Sequence, residues 1–469
     1  MAPAKEERNM ARGKVHSLDM IEGRILPQLI RFSLPLMATS LLQLLYNAAD
    51  MVVVGQFAGA ESLAAVGSTG ALINLITNLF IGFSLGANVV IAHANGARDH
   101  KAISRNVHTA ITLSLICGVV VMVLGLVLAR PLLQMMGSPD DVIDKATLYV
   151  QIFFLGMPVN LLYNFGAGIM RAVGDTRRPL VYLSVSGAVN VLLNLLLVIG
   201  FRMDVAGVAI ATVVSQLLSA VFVVIHLMRT DESIRLDPKQ LGLDLKCVKE
   251  IVRVGLPAGI QSSLFSLSNV IIQSSVNAQG SIWMAGNAAA ANVEGFVWVS
   301  MNSISQGTLT FSSANRGARE FKRVRKVLWV SLATVAVVGL GVGMLAYAFG
   351  GTLLGLYNGE MAVIEKGMVR MAIIMPTYFL CGLMDVAGSQ MRGMGYSIAP
   401  MIVSLSGACA FRLLWVYTVF AADPRMIVLY YSYPISWGLT FLIHLACYVF
   451  MARPKLNRLE REAAAECSL

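Results

Sequence analysis

Apolar and polar positions in this chain segregate into long blocks rather than into the two- or four-residue periods of half-buried strands and surface helices. About 20 apolar residues in helical form cross a bilayer core of roughly 30 Å. Runs of that order occur at 32–54, 63–92, 107–128, 147–168, 180–199, 205–228, 254–278, 283–311, 327–349, 371–391, 397–420 and 426–450, each bounded by a polar loop. The pattern predicts an all-α integral membrane protein of twelve transmembrane helices.

Composition agrees: 57% of the 469 residues are apolar, 13% are charged and the mean hydropathy is +0.70. Soluble domains carry about 25% charged residues, so a soluble fold is excluded. The net charge of +10 would suit nucleic acid only if the basic residues formed a face. They sit instead between the spans. With both termini on one side of the membrane, 29 Lys and Arg fall on that side, 6 on the other, and Arg412 inside a span. Cytoplasmic loops carry the basic excess, so both termini are expected in the cytoplasm, with anionic lipid headgroups and no nucleic acid as the partner of that charge. The first apolar run follows 31 residues, ten of them charged, and has no signal-cleavage pattern. Six scattered cysteines, Cys117, Cys247, Cys381, Cys409, Cys447 and Cys467, show no metal-ligand spacing.

Residues 30–200 repeat in 252–422. Phe32-Ser-Leu-Pro35 matches Val254-Gly-Leu-Pro257, and the Gly-Ala-Arg98 segment matches Gly-Ala-Arg319. Met170-Arg-Ala-Val-Gly174 matches Met391-Arg-Gly-Met-Gly395, and Ser184-Val-Ser-Gly-Ala188 matches Ser404-Leu-Ser-Gly-Ala408. Four collinear matches imply tandem duplication. Six spans per half make the repeat parallel, with its pseudo-twofold axis along the membrane normal. The expected organisation is a cytoplasmic segment 1–28, a six-helix bundle 29–228, a cytoplasmic linker 229–249, a second bundle 250–451 and a cytoplasmic tail 452–469.

Within the predicted spans only four side chains are formally charged: Asp50, Glu294, Asp385 and Arg412. An acid at a helix centre costs about 2.5–3.5 kcal/mol on insertion scales, so such groups face polar cavities and serve ions or substrates. Gln43, Tyr46 and Asp50 share one helix face, as do Asn190 and Asn194 at i and i+4. Amides and phenols can donate to an ionised carboxyl and accept from a protonated one, which is what a reversible cation site needs. The asparagines, with Asn160 and Asn164, have the alternative of tying helices together. For Arg412 a structural role, bonded to backbone carbonyls or paired, stands beside a functional one. Matched prolines (Pro35 and Pro257, Pro158 and Pro376, Pro179 and Pro400) mark helix starts or kinks.

The segments Leu-Tyr46-Asn-Ala-Ala-Asp50-Met-Val-Val-Val-Gly55, Ala64-Ala-Val-Gly67, the two Gly-Ala-Arg turns, Met170-Arg-Ala-Val-Gly-Asp175 and Ala285-Gly-Asn-Ala-Ala-Ala-Ala-Asn-Val-Glu-Gly-Phe296 resemble the multidrug and toxic compound extrusion (MATE) family. The last is similar to its MepA-like branch. The resemblance spans about 26–453. It implies two pseudo-symmetric six-helix bundles around a V-shaped central cavity, and a secondary transporter in the cytoplasmic membrane that exports organic cations against inward flow of protons or sodium. It also implies a coupling site of Asp50, Gln43, Tyr46, Asn190 and Asn194, and a substrate cavity that draws on Glu294 and Asp385; Asn164 and Asn160, polar residues of the fourth span, are further candidates for that cavity. The seventh span has no acid, so the sodium scheme of relatives with a glutamate there does not transfer. No cofactor beyond the coupling ion is expected, and a monomer is. The rivals are a flippase or exporter of a lipid-linked metabolite, which would favour several basic residues in the cavity, and a membrane-embedded enzyme. The enzyme is disfavoured because the six histidines form no HExxH cluster and no GxxxxGK[ST] loop exists.

Overall fold

A computed structural model describes residues 18–136 and 142–466. Residues 1–17 of the expected N-terminal segment, and Cys467 with the last two residues of the tail, lie outside them. The described residues are helical almost throughout. We number the long helices α1 (Ile25–Phe57), α2 (Ala60–Gly96), α3 (His100–Met135), α4 (Ile143–Leu155 and Met157–Ala172), α5 (Arg177–Gly200), α6 (Asp204–Arg229), α7 (Leu245–Asn277), α8 (Ser281–Gly317), α9 (Phe321–Ala348), α10 (Met361–Thr377 and Phe379–Gly393), α11 (Ile398–Phe420) and α12 (Met426–Cys447). A further helix, α13 (Arg453–Glu466), follows α12.

Eight of these are long and apolar enough to cross a membrane, and the bent pairs α4 and α10 raise the number to ten. The remaining two of the twelve expected, α7 and α8, have 33 and 37 residues, about 50 Å or more at ~1.5 Å per residue. Length is ample; composition sets them apart. Both are studded with Ser, Thr, Asn and Gln, many folded back onto their own helix. Ser303, Thr308 and Thr310 hydroxyls donate to the carbonyls four residues earlier.

Two of the four duplicated motifs turn out to be helix stops. In both halves the Met-Arg-x-x-Gly segment ends a helix with glycine in the left-handed region, Gly174 at φ 89° and Gly395 at φ 86°. The following N–H donates back to the methionine carbonyl, Asp175 to Met170 at 3.0 Å and Tyr396 to Met391 at 2.9 Å, which is the six-to-one bond of a Schellman cap. The Gly-Ala-Arg turns place Arg98 and Arg319 at φ 55° and 60°. Helices α4 and α10 bend by the same 47°. In α10 the break follows Pro376, whose missing N–H and ring open the preceding turn; in α4 it falls at Gly156, two residues before Pro158.

The chain forms two compact units, one of Met1–Asp19 with Ala38–Gly259 and one of Met20–Met37 with Ile260–Leu469. Unit 1 has an apolar core built around Phe154, Met157, Leu161, Phe165 and Ile169 of α4. There α2 and the start of α7 touch backbone to backbone: a Cβ on Gly82 would meet Gly255 and Gly259. Unit 2 has its own core around Met371, Ile374, Met375 and Tyr430. The start of α1 belongs to it, with Phe32 edge-on to Phe311 at 5.6 Å and the Asn315 amide donating to the Met20 carbonyl at 3.0 Å.

Candidate functional site

In unit 1 the structure gathers an acid and its predicted partners. Asp50, half-buried on α1, accepts a short hydrogen bond from the Asn194 side-chain amide on α5. Its other oxygen faces the Thr212 hydroxyl on α6 at 3.5 Å. The Asn194 amide also reaches Asn190 Oδ1 at 3.3 Å, and both asparagines are buried. No basic side chain among the described residues pairs with Asp50. Tyr46 lies one turn earlier and donates its hydroxyl to the Ser184 carbonyl at 3.3 Å. Its ring fills the space where a side chain at Gly187 would stand, so glycine is required there. Gln43 is exposed and stands outside this group. Asn164 donates to Asn160 Oδ1 at 3.0 Å and to the Asn160 carbonyl, so that pair is bonded to itself on α4 rather than to Asp50.

Thr212 was not legible in the sequence. It is one of three hydroxyls on an apolar helix, a kind of group that ordinarily bonds its own backbone.

Unit 2 corrects the expectation of four charged residues in the spans. Arg370, placed by hydropathy one residue outside the tenth run, lies inside α10 and is 5% exposed. Its Nε donates to Glu294 Oε1 at 2.5 Å and its Nη2 to Glu294 Oε2 at 2.7 Å, a two-point ion pair with α8. Nη1 donates to Asn287 Oδ1 at 2.6 Å, which also accepts from the Tyr430 hydroxyl at 3.3 Å. The Asn287 amide donates to Gln273, and Gln273 to Asn277, each at 2.8 Å. Tyr430 and Tyr433 of α12 present ring faces to the guanidinium at 5.5 and 5.3 Å. The second half therefore holds a closed polar network across α7, α8, α10 and α12. Asp385, half-buried on α10, has no hydrogen-bond partner among the described residues.

Arg412, on α11, is 4% exposed. Its Nε donates to Ser436 Oγ at 2.9 Å, and it stacks on Tyr433 at 4.3 Å and Trp437 at 5.4 Å.

The two halves thus differ in chemistry. Asp50 is met only by neutral donors, which leaves its negative charge available to a proton or another cation. Glu294 is already neutralised.

The MatE family profile matches the chain twice, over residues 35–196 and 257–418. The chain belongs to the MATE family. As a member it is a multi-pass membrane transporter of small molecules rather than an enzyme, and the double match falls on the duplicated halves. Among its curated relatives, probable multidrug resistance protein YoeA of Bacillus subtilis is 26% identical over 90% of this chain and 93% of its own. Multidrug export protein MepA of Staphylococcus saprophyticus is 20% identical over 83% of this chain and 86% of its own. A solved outward-facing multidrug resistance MATE transporter shares the fold with a TM-score of 0.87, at 21% identity over 95% of this chain and 99% of that one. The MATE fold expected from the residues is therefore the fold observed.

Proposed function

We propose that this MATE transporter exports organic, cationic and amphipathic compounds across the cytoplasmic membrane by alternating access, in exchange for a proton or sodium ion that enters at Asp50. The observation that carries the reading is an intramembrane carboxylate held by neutral donors from two other helices, with no basic partner among the described residues. An acid kept in a membrane segment without a counter-charge is stable only when a cation visits it. Loading it removes the reason for the Asn194 amide to donate, which loosens α1 from α5 and biases the conformational equilibrium. Tyr46, through Ser184, and Asn190, through Asn194, hold the partners in place. Gln43, exposed on the same helix, belongs to the coupling face through its position. Asp385, Asn160, Asn164 and the Glu294 network contribute to the substrate path, and both termini face the cytoplasm. The names of the curated relatives, multidrug export and resistance proteins, support the substrate class.

The test is efflux of an organic cation dye from proteoliposomes with proton and sodium gradients imposed one at a time. One gradient should drive efflux, and Asp50→Asn should abolish the response to it at equal protein content. Undiminished gradient-driven efflux by Asp50→Asn would show the coupling site to be elsewhere.

A further inference from the structure

Arg412 is a buried cation whose counter-charge the fold does not supply. Its Nη2 is buried without a hydrogen-bond partner, and no carboxylate forms an ion pair with it among the described residues. Arg370, in similar aromatic surroundings, is matched by Glu294. Asp385, the other acid of these spans, makes no hydrogen bond or ion pair with Arg412 among the described residues. An ion removed from water is costly to keep unless it is paired.

The backbone marks the same place. Arg412 lies on a short α-helical piece, Phe411–Trp415, between two π-helical stretches, Leu405–Ala410 and Val416–Phe420. π-helical turns occur often at functional sites. The duplication shows what the first of them does. Matching Ser184–Ala188 with Ser404–Ala408 sets Arg412 opposite Leu192, which is 66% exposed, and the second stretch opposite the π-helical Leu195–Gly200 of α5. The stretch at 405–410 has no counterpart in α5, which is regular α-helix through Asn194. The wider turn rotates the following side chains and brings Arg412 inward. Matching Pro35 with Pro257 sets Ile272 opposite Asp50. The second half thus lacks the acid of the first and gains a buried cation.

We propose that Arg412 is an anion-recognition site inside the second half, and that it takes the carboxylate of an amphipathic aromatic compound, so that substrates include zwitterions as well as cations. The planar guanidinium suits a carboxylate, and one arginine with one bonded hydroxyl matches a single negative charge. Tyr433, Trp437 and Tyr378, which stands 5.2 Å from Trp437, supply aromatic faces. Pro434, beside Tyr433, withholds an N–H from α12 and so loosens the helix that covers the site. The inference rests on the reading of the chain as an exporter of organic compounds.

A cationic xanthene dye as its free acid and as its methyl ester separates the two ideas. Binding to the purified protein in phosphatidylcholine nanodiscs, read by fluorescence polarisation, tests the site; efflux of the ester from proteoliposomes tests the exporter reading. The acid form should bind about tenfold more tightly than the ester, as expected of a charge-assisted hydrogen bond. Arg412→Gln should erase that ratio and leave ester binding unchanged, and Arg412→Lys should retain part of it. Equal binding of the two forms by the unaltered protein, a comparison that needs no variant to fold, would overturn the proposal. So would an unchanged ratio in Arg412→Gln. Loss of the acid preference when phosphatidylglycerol is added would assign the arginine to a lipid phosphate and overturn it as well. Absence of ester efflux with the binding ratio intact would count against the exporter reading alone.

Discussion

Between Glu294 and Arg370 lie two hydrogen bonds and almost no solvent, and this governs what each substitution does. Removing one partner strands the other as a buried charge, which costs about 3–5 kcal/mol, whereas replacing both with apolar residues of similar volume is near neutral or better. Glu294→Gln and Arg370→Met should each lower the melting temperature in detergent sharply, while Glu294→Met with Arg370→Leu should recover most of the loss. Single variants as mild as the double one would mean that the pair is solvated. Gly187 makes a different prediction. Any side chain there collides with the Tyr46 ring, so Gly187→Val should displace Tyr46 from Ser184 and impair gradient-driven efflux more than Tyr46→Phe, which loses only one hydroxyl. Equal efflux by the two variants would refute the steric argument. The contrast between the two sites also explains what could be read in advance. Asp50, Asn190 and Asn194 stand out because polar groups at helical spacing interrupt apolar runs. Arg370 does not, because a hydropathy window ends a span at the first charge it meets, and the charge that cancels it lies 76 positions earlier on another helix.

Helix boundaries were legible for the same reason that the repeat was: glycine and proline fix backbone geometry locally. Gly174 and Gly395 end helices where the duplicated motif falls, and Pro376 lies where α10 bends. The π-helical turns of α11 were not legible, since nothing in Leu405–Ala410 forbids a regular helix. One element boundary titrates. Asp244 precedes α7 and accepts from the backbone N–H of Cys247 at 3.0 Å and of Lys246 at 2.9 Å. The Cys247 N–H, with Arg105 3.6 Å away, holds its carboxyl below the ordinary aspartate range despite some desolvation. A carboxyl depressed in the folded state stabilises fully above its unfolded value and loses that contribution as pH falls through its folded value. The first turn of α7 should therefore be protected from hydrogen exchange at neutral pH and should fray on acidification below the usual aspartate range. Asp244→Ala should be frayed at every pH. Protection independent of pH in the unaltered protein would show that the cap does not depend on the charge.

For the whole molecule the distribution of basic residues supports the proposed orientation, with both termini in the cytoplasm. Moving Arg370 into the interior leaves five Lys and Arg on the side opposite the termini, namely Arg130, Lys145, Arg202, Lys366 and Arg425, against 29 on the termini's own side. The correction sharpens the bias, because the residue lost from the sparse side is paired inside the membrane. Several of the sparse set are tied locally: Lys145 bridges Glu61 and Asp204 at 3.2 and 3.1 Å, and Arg425 pairs with Asp423. The dense set includes the link between the halves, where Asp237 N–H donates to His108 Nε2 at 3.0 Å. A topology with that link in the cytoplasm makes a direct prediction for single cysteines placed in a cysteine-free background. An impermeant maleimide should label Asp423→Cys in intact cells and Lys239→Cys only after permeabilisation. The reverse pattern would place the basic surface outside, and an exporter whose cation enters at Asp50 would then run in the wrong direction. Basic residues set the insertion of membrane spans as they are made, so the proposed direction of transport rests on where these 29 charges lie.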